Sequence, residues 1–317
     1  MDVIGIGTVC VDEILEIEEL PGSDQFVNAL GHSCQGGGRV ANALSVLGRL
    51  GVRAQLLGVA GDDLYGAFCR KDLEFQGVDT SGIRTDPGKD TNYCVVLAER
   101  STGCRSIIRR FGTCRPLTLE DLPEEAISGA KVLHLADMSP VSQAAARIIR
   151  EGGGTVVMDA DEYDPAIQAH LDLIDVFICA KQYFFHKFPG GDLKEGLEAI
   201  RRQGSHTAIV TLGAKGCAGL SGEGYFELPI FPVEVADSTG AGDVFHGGYI
   251  YGLLQGWDAR ESARFASAVS AIKCTALGGR AGIPDLSMVR EFLATGRIDR
   301  TQLDRRAEFY RKGFARL

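Results

Sequence analysis

Residues 131–161 read KVLHLADMSPVSQAAARIIREGGGTVVMDAD. Two apolar runs, 131–137 and 155–161, bracket a segment, 141–151, whose apolar positions recur at helical spacing. A short apolar run between turn residues is the pattern of a strand buried on both faces. Strand, helix and strand in that order make a right-handed crossover, which lays the two strands parallel in one sheet.

The unit repeats along most of the chain. VIGIGTV (3–9), QLLGVAG (55–61), VFICA (176–180) and TAIVTLG (207–213) have the same strand character, and helical segments fall over 39–50, 63–76 and 193–203. The expected fold class is α/β, a three-layer α/β/α sandwich with helices on both faces of a mainly parallel sheet. Ligands bind such sheets beyond the carboxyl ends of the strands.

Two regions break the rhythm. VDEILEIEELPGSD (11–24) and QFVNALGHSC (25–34) alternate polar and apolar residues, as half-exposed strands do. TNYCVVLA (91–98) and CRSIIRRF (104–111) form a second pair around the turn ERSTG. Inserted at about 11–36 and 90–112, these strands predict a small β lid over the active edge of a single domain, 1–317.

The 317 residues are 45% hydrophobic and carry a net charge of −9. That balance supplies a large core and repels nucleic acid and anionic membranes, so neither is an expected partner. From Arg297 to Leu317 there are seven Lys/Arg against three acids, with Leu303, Ala307, Tyr310 and Phe314 on one helical face. This predicts an amphipathic helix docked on the body. Nine cysteines occur without a CxxC pair or a zinc-type spacing, which predicts reduced thiols in a cytoplasmic protein. The N-terminus has no basic n-region, and no run reaches 18 apolar residues, so neither a signal peptide nor a membrane span is expected.

The chemistry concentrates at 237–248, DSTGAGDVFHGG. Gly240, Ala241 and Gly242 strip side chains from the start of a helix, and Asp243 stands in its first turn. A helix N-terminus exposes unpaired N–H groups and a positive dipole end, and bare backbone lets an anion approach them. Asp243 has two readings. One is an N-terminal cap worth about 1 kcal/mol. The other is a general base that deprotonates an alcohol while the amides hold a phosphoryl group. In GGGRVANALSVLGRLG (36–51), Gly37 and Gly38 precede a second helix. Asn42 lies one turn inside it, facing either a ligand or solvent. Asp12, where the lid begins, is either an acceptor for hydroxyls or a solvated turn residue. No GxxxxGK[ST] occurs, and GIGTVC (5–10) lacks the third glycine of a dinucleotide fingerprint, so both readings are dismissed.

Together these residues resemble the PfkB family of carbohydrate kinases, which has the ribokinase-like fold. DSTGAGDVFHGG looks like the family's DTxGAGD signature, GGGRVAN with LGRLG and GVAGDDLYG looks like its N-terminal signature, and TLGAKG (211–216) matches TLGxxG. The resemblance covers nearly the whole chain. It implies transfer of the γ-phosphoryl group of ATP, with Mg²⁺, to a monosaccharide hydroxyl. Asp243 would be the base and the amides of Ala241, Gly242 and Asp243, following Gly240, the anion hole. Asp12, Gly38 and Asn42 would bind sugar hydroxyls, with Gly37 beside them. Thr211, Gly213 and Gly216 would line the nucleotide site, with Lys181 near it. Asp237 and Thr239 match positions that hold a monovalent cation in several relatives, which makes K⁺ a candidate. In several relatives two lids pack together, so a homodimer through the lid is expected.

The chain also departs from the family. In ICAKQYF (178–184), Ala180 and Tyr183 stand where an NxxE motif has Asn and Glu, which leaves the Mg²⁺ ligands open. Ketohexokinase shows a similar loss and a Lys-Cys pair like Lys273-Cys274. RFASAVSAIKCTALGGRAGIPD (264–285) looks like sulfofructose kinase, although Met138 stands where that enzyme's sulfosugar-binding arginine is expected. These features favour a ketose. A sugar-acid kinase of the 2-keto-3-deoxygluconate type, a nucleoside kinase or an inactive relative are the alternatives. Successive strand residues face opposite ways, so only one of Arg109 and Arg110 can face the site. An arginine there, or Arg115 just beyond, suits a carboxylate, sulfonate or phosphate on the substrate, and otherwise is a solvated strand end or touches ATP phosphate. His246 falls on the helical side of Asp243, as a packed residue or a proton shuttle. Asp159 and Asp161 end a central strand, as metal or water organisers or as loop acids. Asp62 and Asp63 read as helix caps.

Overall fold

The computed structural model describes residues 1–316. The chain opens with β1 (Val3–Ile6), β2 (Cys10–Ile17), β3 (Gly31–Gly37), α1 (Arg39–Arg49), β4 (Ala54–Gly61) and α2 (Leu64–Phe75). Then come β5 (Val78–Asp79), β6 (Ile83–Asp86), β7 (Asn92–Glu99), β8 (Arg105–Arg110) and α3 (Glu124–Ser128). The middle holds β9 (Val132–Leu135), α4 (Pro140–Glu151), β10 (Thr155–Ala160), α5 (Pro165–Ala169), β11 (Val176–Ala180) and α6 (Lys181–Lys187). It is followed by α7 (Leu193–Arg201), β12 (Thr207–Thr211), β13 (Cys217–Ser221) and β14 (Gly224–Leu228). Four helices complete the chain: α8 (Ala241–Leu254), α9 (Ala259–Lys273), α10 (Leu286–Thr295) and α11 (Arg300–Arg311).

The large sheet runs β14-β13-β12-β11-β10-β9-β1-β4-β5, with β6 pairing the far half of β4. From β12 to β5 every pairing is parallel, and β13 and β14 add an antiparallel edge. Its strands are mainly apolar because most of their residues meet one of two cores. Val3 and Val157 pack with Leu44, Ile250 and Val269 of α1, α8 and α9. Their neighbours Ile4, Val156 and Met158 pack with Ile149 and Leu197 of α4 and α7 on the opposite face. Side chains alternate along a strand, so burial on both faces demands the unbroken runs seen in the sequence. Ser139 caps α4 by accepting from the Ser142 N–H, and Pro140 occupies its first position, where its missing N–H costs nothing.

The second sheet has four strands in the order β3-β2-β7-β8. Parallel pairing of β2 with β7 sets Asp12 opposite Cys94, and antiparallel pairing of β7 with β8 sets Cys94 opposite Arg109. One expected strand is largely a loop. Of 25–34 only the part from Gly31 is extended, because Pro21, Gly22 and Asp24 break the ladder, and Phe26 is fully exposed. The β13–β14 hairpin escaped the reading of the sequence. Helix α11 docks as its pattern predicts, with Leu303 and Tyr310 buried, and Phe314 beyond it rests on the Phe68 ring at 4.9 Å. Leu317 lies outside the described residues. All nine cysteines are free thiols, and among the described residues no helix is long and apolar enough to cross a membrane.

Candidate active site

The carboxyl ends of the central strands and the inner face of the small sheet enclose a cleft of about 800 Å³. Helix α8 points its N-terminus into it. Gly240 caps that helix with φ 73°, a left-handed conformation that favours glycine, and Ala241, Gly242 and Asp243 form the first turn. A Cβ on Gly242 would touch nothing in the chain, so packing does not require its absence. What the bare backbone leaves free is the space in front of the helix amides.

Asp243 is held rather than loose. Its Oδ2 accepts from Asn42 Nδ2 at 2.8 Å, and Asn42 Oδ1 accepts from Arg280 Nε at 2.9 Å. Arg280 is buried and donates through Nη1 to Asp72 Oδ2 at 2.8 Å and through Nη2 to the Gly37 carbonyl at 3.0 Å. A chain of contacts Asp72–Arg280–Asn42–Asp243 therefore crosses the protein behind the cleft. Burial and the nearby Asp159 charge push the Asp243 carboxyl up to about 6, against the pull of Asn42, Arg39 and His246.

Asp12 enters from β2 on the other side and is buried. Burial pushes it up to about 6 as well, with Arg280 opposing and Asp243 assisting. Gly37 lies opposite Cys10, and a Cβ there would come within 2.4 Å of the Asp12 carboxylate. Gly37 thus makes room for Asp12 and does not itself line the cleft. Gly38 does line it, at φ 101° as the cap of α1. Arg109 lines the cleft opposite Cys94, and among the described residues no carboxylate pairs with it. Its neighbour Arg110 is bound to Asp90 at 2.7 Å, so Arg109 is the free cation of the two. Arg115 is paired with Asp121. Arg105, on the face of Arg109, reaches Ser238 Oγ at 3.3 Å, next to the start of α8.

At the far end, Thr211, Gly213 and Lys181 line the cleft, but Gly216 does not. Gly216 instead closes the turn after β12, where its carbonyl accepts from the Leu212 N–H at 2.8 Å, and a Cβ would strike the Leu228 carbonyl. Asp159 and Asp161 line the same region. Asp159 Oδ1 lies 3.3 Å from His246 Nε2 and 3.9 Å from Arg39, while its buried Oδ2 has no hydrogen-bond partner among the described residues. Burial opposes its ionisation, but His246 and Arg39 hold it well below the usual carboxylate range. His246 is packed against His134 with ring centroids 5.4 Å apart, and burial keeps His134 neutral down to about pH 3. Tyr183 is wholly in the core against Phe177, away from any metal role, and Met138 is core too. Asp63 caps α2 through the Gly66 N–H, whereas Asp62 binds the Gly88 N–H in a loop.

The expected monovalent-cation pair does not fit a cation. Asp237 is buried and its carboxylate already accepts from the Thr239 N–H, the Thr239 hydroxyl and the Gly278 N–H, each at 2.8 Å. Its carbonyl accepts from the buried Lys273 ammonium at 2.9 Å, so a tethered positive charge already stands there. Thr239 lines the cleft, but Asp237 does not.

Residues 2–286 match the family described as pfkB family carbohydrate kinase. The chain is 29% identical to the ATP-dependent ribose-1-phosphate kinase of Halopiger xanaduensis, over 92% of this chain and 98% of that one. Its fold superposes on a putative ribokinase from Agrobacterium tumefaciens with TM-score 0.83 at 22% identity, covering 93% and 98% of the two chains. A putative ribokinase II from E. coli in complex with ATP and Mg²⁺ gives TM-score 0.80 at 23% identity, covering 92% and 99%. The chain belongs to the pfkB family of carbohydrate kinases, phosphotransferases whose acceptor is a sugar hydroxyl.

Proposed function

We propose that this chain transfers the γ-phosphoryl group of ATP to a hydroxyl of a monosaccharide, with Asp243 as general base. The observation that carries this reading is Asp243 itself, anchored by Asn42 in the first turn of a helix whose bare N-terminus faces the cleft. The acceptor hydroxyl gives its proton to the Asp243 carboxylate as its oxygen bonds to the γ-phosphorus. The bond from that phosphorus to the bridging oxygen breaks, and ADP leaves with the electron pair. The N–H groups of Ala241, Gly242 and Asp243 stabilise the charge spread over the transferring group. Asp12 accepts from the acceptor's hydroxyls, and Thr211, Gly213 and Lys181 border the nucleotide. The small sheet serves as the lid of one unit.

Mg²⁺ fits the residues present. The buried, unpartnered Oδ2 of Asp159 and the neighbouring Asp161 supply hard oxygen donors beside the phosphate region, where Tyr183 supplies none. When bound, the ion neutralises phosphate charge. No step is assigned to K⁺.

A narrower reading is favoured by Arg109. An unpaired guanidinium facing the cleft suits an acceptor that carries a carboxylate or phosphate as well as the reacting hydroxyl. The ribose-1-phosphate kinase relative is a case in point. The test is ADP release across neutral ketoses, sugar acids, sugar phosphates and nucleosides, with Asp243→Asn beside the wild type. A sugar turned over by the wild type and slowed by about 10² or more in the variant supports the reading. Turnover insensitive to the substitution overturns it. Anionic sugars outperforming neutral ones, and losing that advantage in Arg109→Ala, would select the narrower reading.

A further inference from the structure

The acceptor end of the cleft holds two thiols that the phosphoryl transfer does not use. Cys10 opens β2 and Cys94 lies within β7. The two sulfurs and an Asp12 carboxylate oxygen all lie within 4.8 Å of one another, and Cys10 Sγ is 3.7 Å from Asp12 Oδ1. Around a tetrahedral zinc ion with bonds of about 2.3 Å to sulfur and about 2.0 Å to oxygen, ligand atoms stand roughly 3.5–3.8 Å apart. The cluster is therefore at coordination spacing with little movement. Adjacent strands hold all three residues, and all three line the cleft, so a fourth position faces open space.

Arg109 sets one positive charge opposite Cys94, and the Asp12 and Asp243 carboxylates stand against it. Arg280, the cation nearest Asp12 from behind, is met by Asp72 at 2.8 Å, while Asp243 adds negative charge from across the cleft. Two sulfurs and one oxygen select a borderline-soft d¹⁰ cation over Mg²⁺, which demands six oxygens at about 2.0–2.1 Å. The set does not compete for the magnesium of ATP.

We propose that Cys10, Asp12 and Cys94 form an inhibitory site for a zinc-class divalent cation at the acceptor end of the cleft. Binding releases the thiol protons to solvent, a water completes the tetrahedron, and no electrons are transferred. The ion and its bound water would occupy the space in front of Asp12 and take up one of its carboxylate oxygens, so cation and acceptor exclude each other while the nucleotide end stays open. That exclusion rests on the kinase reading of Asp12, whereas the binding does not.

The test begins with the full chain and Co²⁺ as a spectroscopic stand-in. One equivalent is expected to produce thiolate-to-cobalt charge-transfer absorption in the near ultraviolet, which Zn²⁺ then abolishes. Cys94→Ser should lose the band, Asp12→Asn should weaken cobalt affinity tenfold or more, and Cys104→Ser, at an exposed thiol of the lid hairpin, should leave it unchanged. Absence of the band in the wild type overturns the site whatever the variants do, as does a band that survives in folded Cys94→Ser. In the kinase assay, Zn²⁺ should raise the apparent KM for the acceptor tenfold without changing that for ATP. A cobalt band without acceptor competition supports the metal site and removes Asp12 from the acceptor contacts.

Discussion

Asn42 donates to the Asp243 carboxylate at 2.8 Å while accepting from the buried Arg280, so one amide fixes the proposed base from behind. Its hydrogen bond also favours the ionised form of Asp243. Asn42→Ala should lower kcat by about 10-fold or more and move the acidic limb of the rate profile to higher pH, because a stabiliser of the carboxylate is lost. A pH–rate profile of the variant checks both. An unchanged limb with lowered kcat would separate positioning from electrostatics.

The rate should depend on pH through the raised carboxyls. Asp243 at about 6 must be ionised to take a proton, so kcat/KM should fall as pH drops through about 6. Asp12 has a carboxyl at about 6 too, so the fall should be steeper than one proton allows where Asp12 binds the acceptor.

The same shift makes a stability prediction. A carboxyl raised in the folded state penalises folding where it is ionised, and the penalty disappears as pH falls through about 6 toward the unfolded value. Asp243→Asn should therefore melt higher than the wild type at pH 8, with the gap narrowing at pH 5 and vanishing as pH falls to about 4. Calorimetry at these pH values measures it. A site residue that costs stability is expected where function sets the residue.

Arg280 and Asp72 are both buried, 2.8 Å apart. Removing one charge leaves the other unpaired inside the protein, so Arg280→Ala should destabilise by about 3–5 kcal/mol in urea unfolding. It should also cost activity, through Asn42, in protein that remains folded.

Lys273 supplies an ammonium at the Asp237 carbonyl. Replacing potassium with tetramethylammonium at constant ionic strength should leave kcat within about twofold, since the charge is already tethered there. A large potassium activation would show that the ion binds elsewhere or displaces the ammonium.

On the small sheet, Ile107, Ile108 and Phe111 are exposed. Light scattering at micromolar concentration should give a dimer, and Ile108→Asp should give a monomer.

The sequence made the fold readable because the two cores oblige strands such as β1 and β11 to be apolar without interruption. The first turn of α8 was equally legible, since Gly240 to Asp243 are consecutive. Arg280 was not. It sits in an irregular segment, and its partners Asp72 and Asn42 lie 208 and 238 positions away, so no local pattern announces the chain of contacts. Cys10 and Cys94 failed as a metal spacing for the same reason: only the parallel register of β2 and β7 brings them together. Gly216 and Asp237 matched a motif yet serve a turn and a filled hydrogen-bond set. Motif identity marks a position, while the surrounding donors decide what it has left to offer.

The residues that would tell one acceptor from another, Asp12 and Arg109, ride on the small sheet, while the helix end that would handle phosphate belongs to the large one. Addressing and delivery are thus written on separate pieces of backbone. A lineage can redraft the first, by changing inward positions of β2, β7 and β8, without disturbing a single amide of the second.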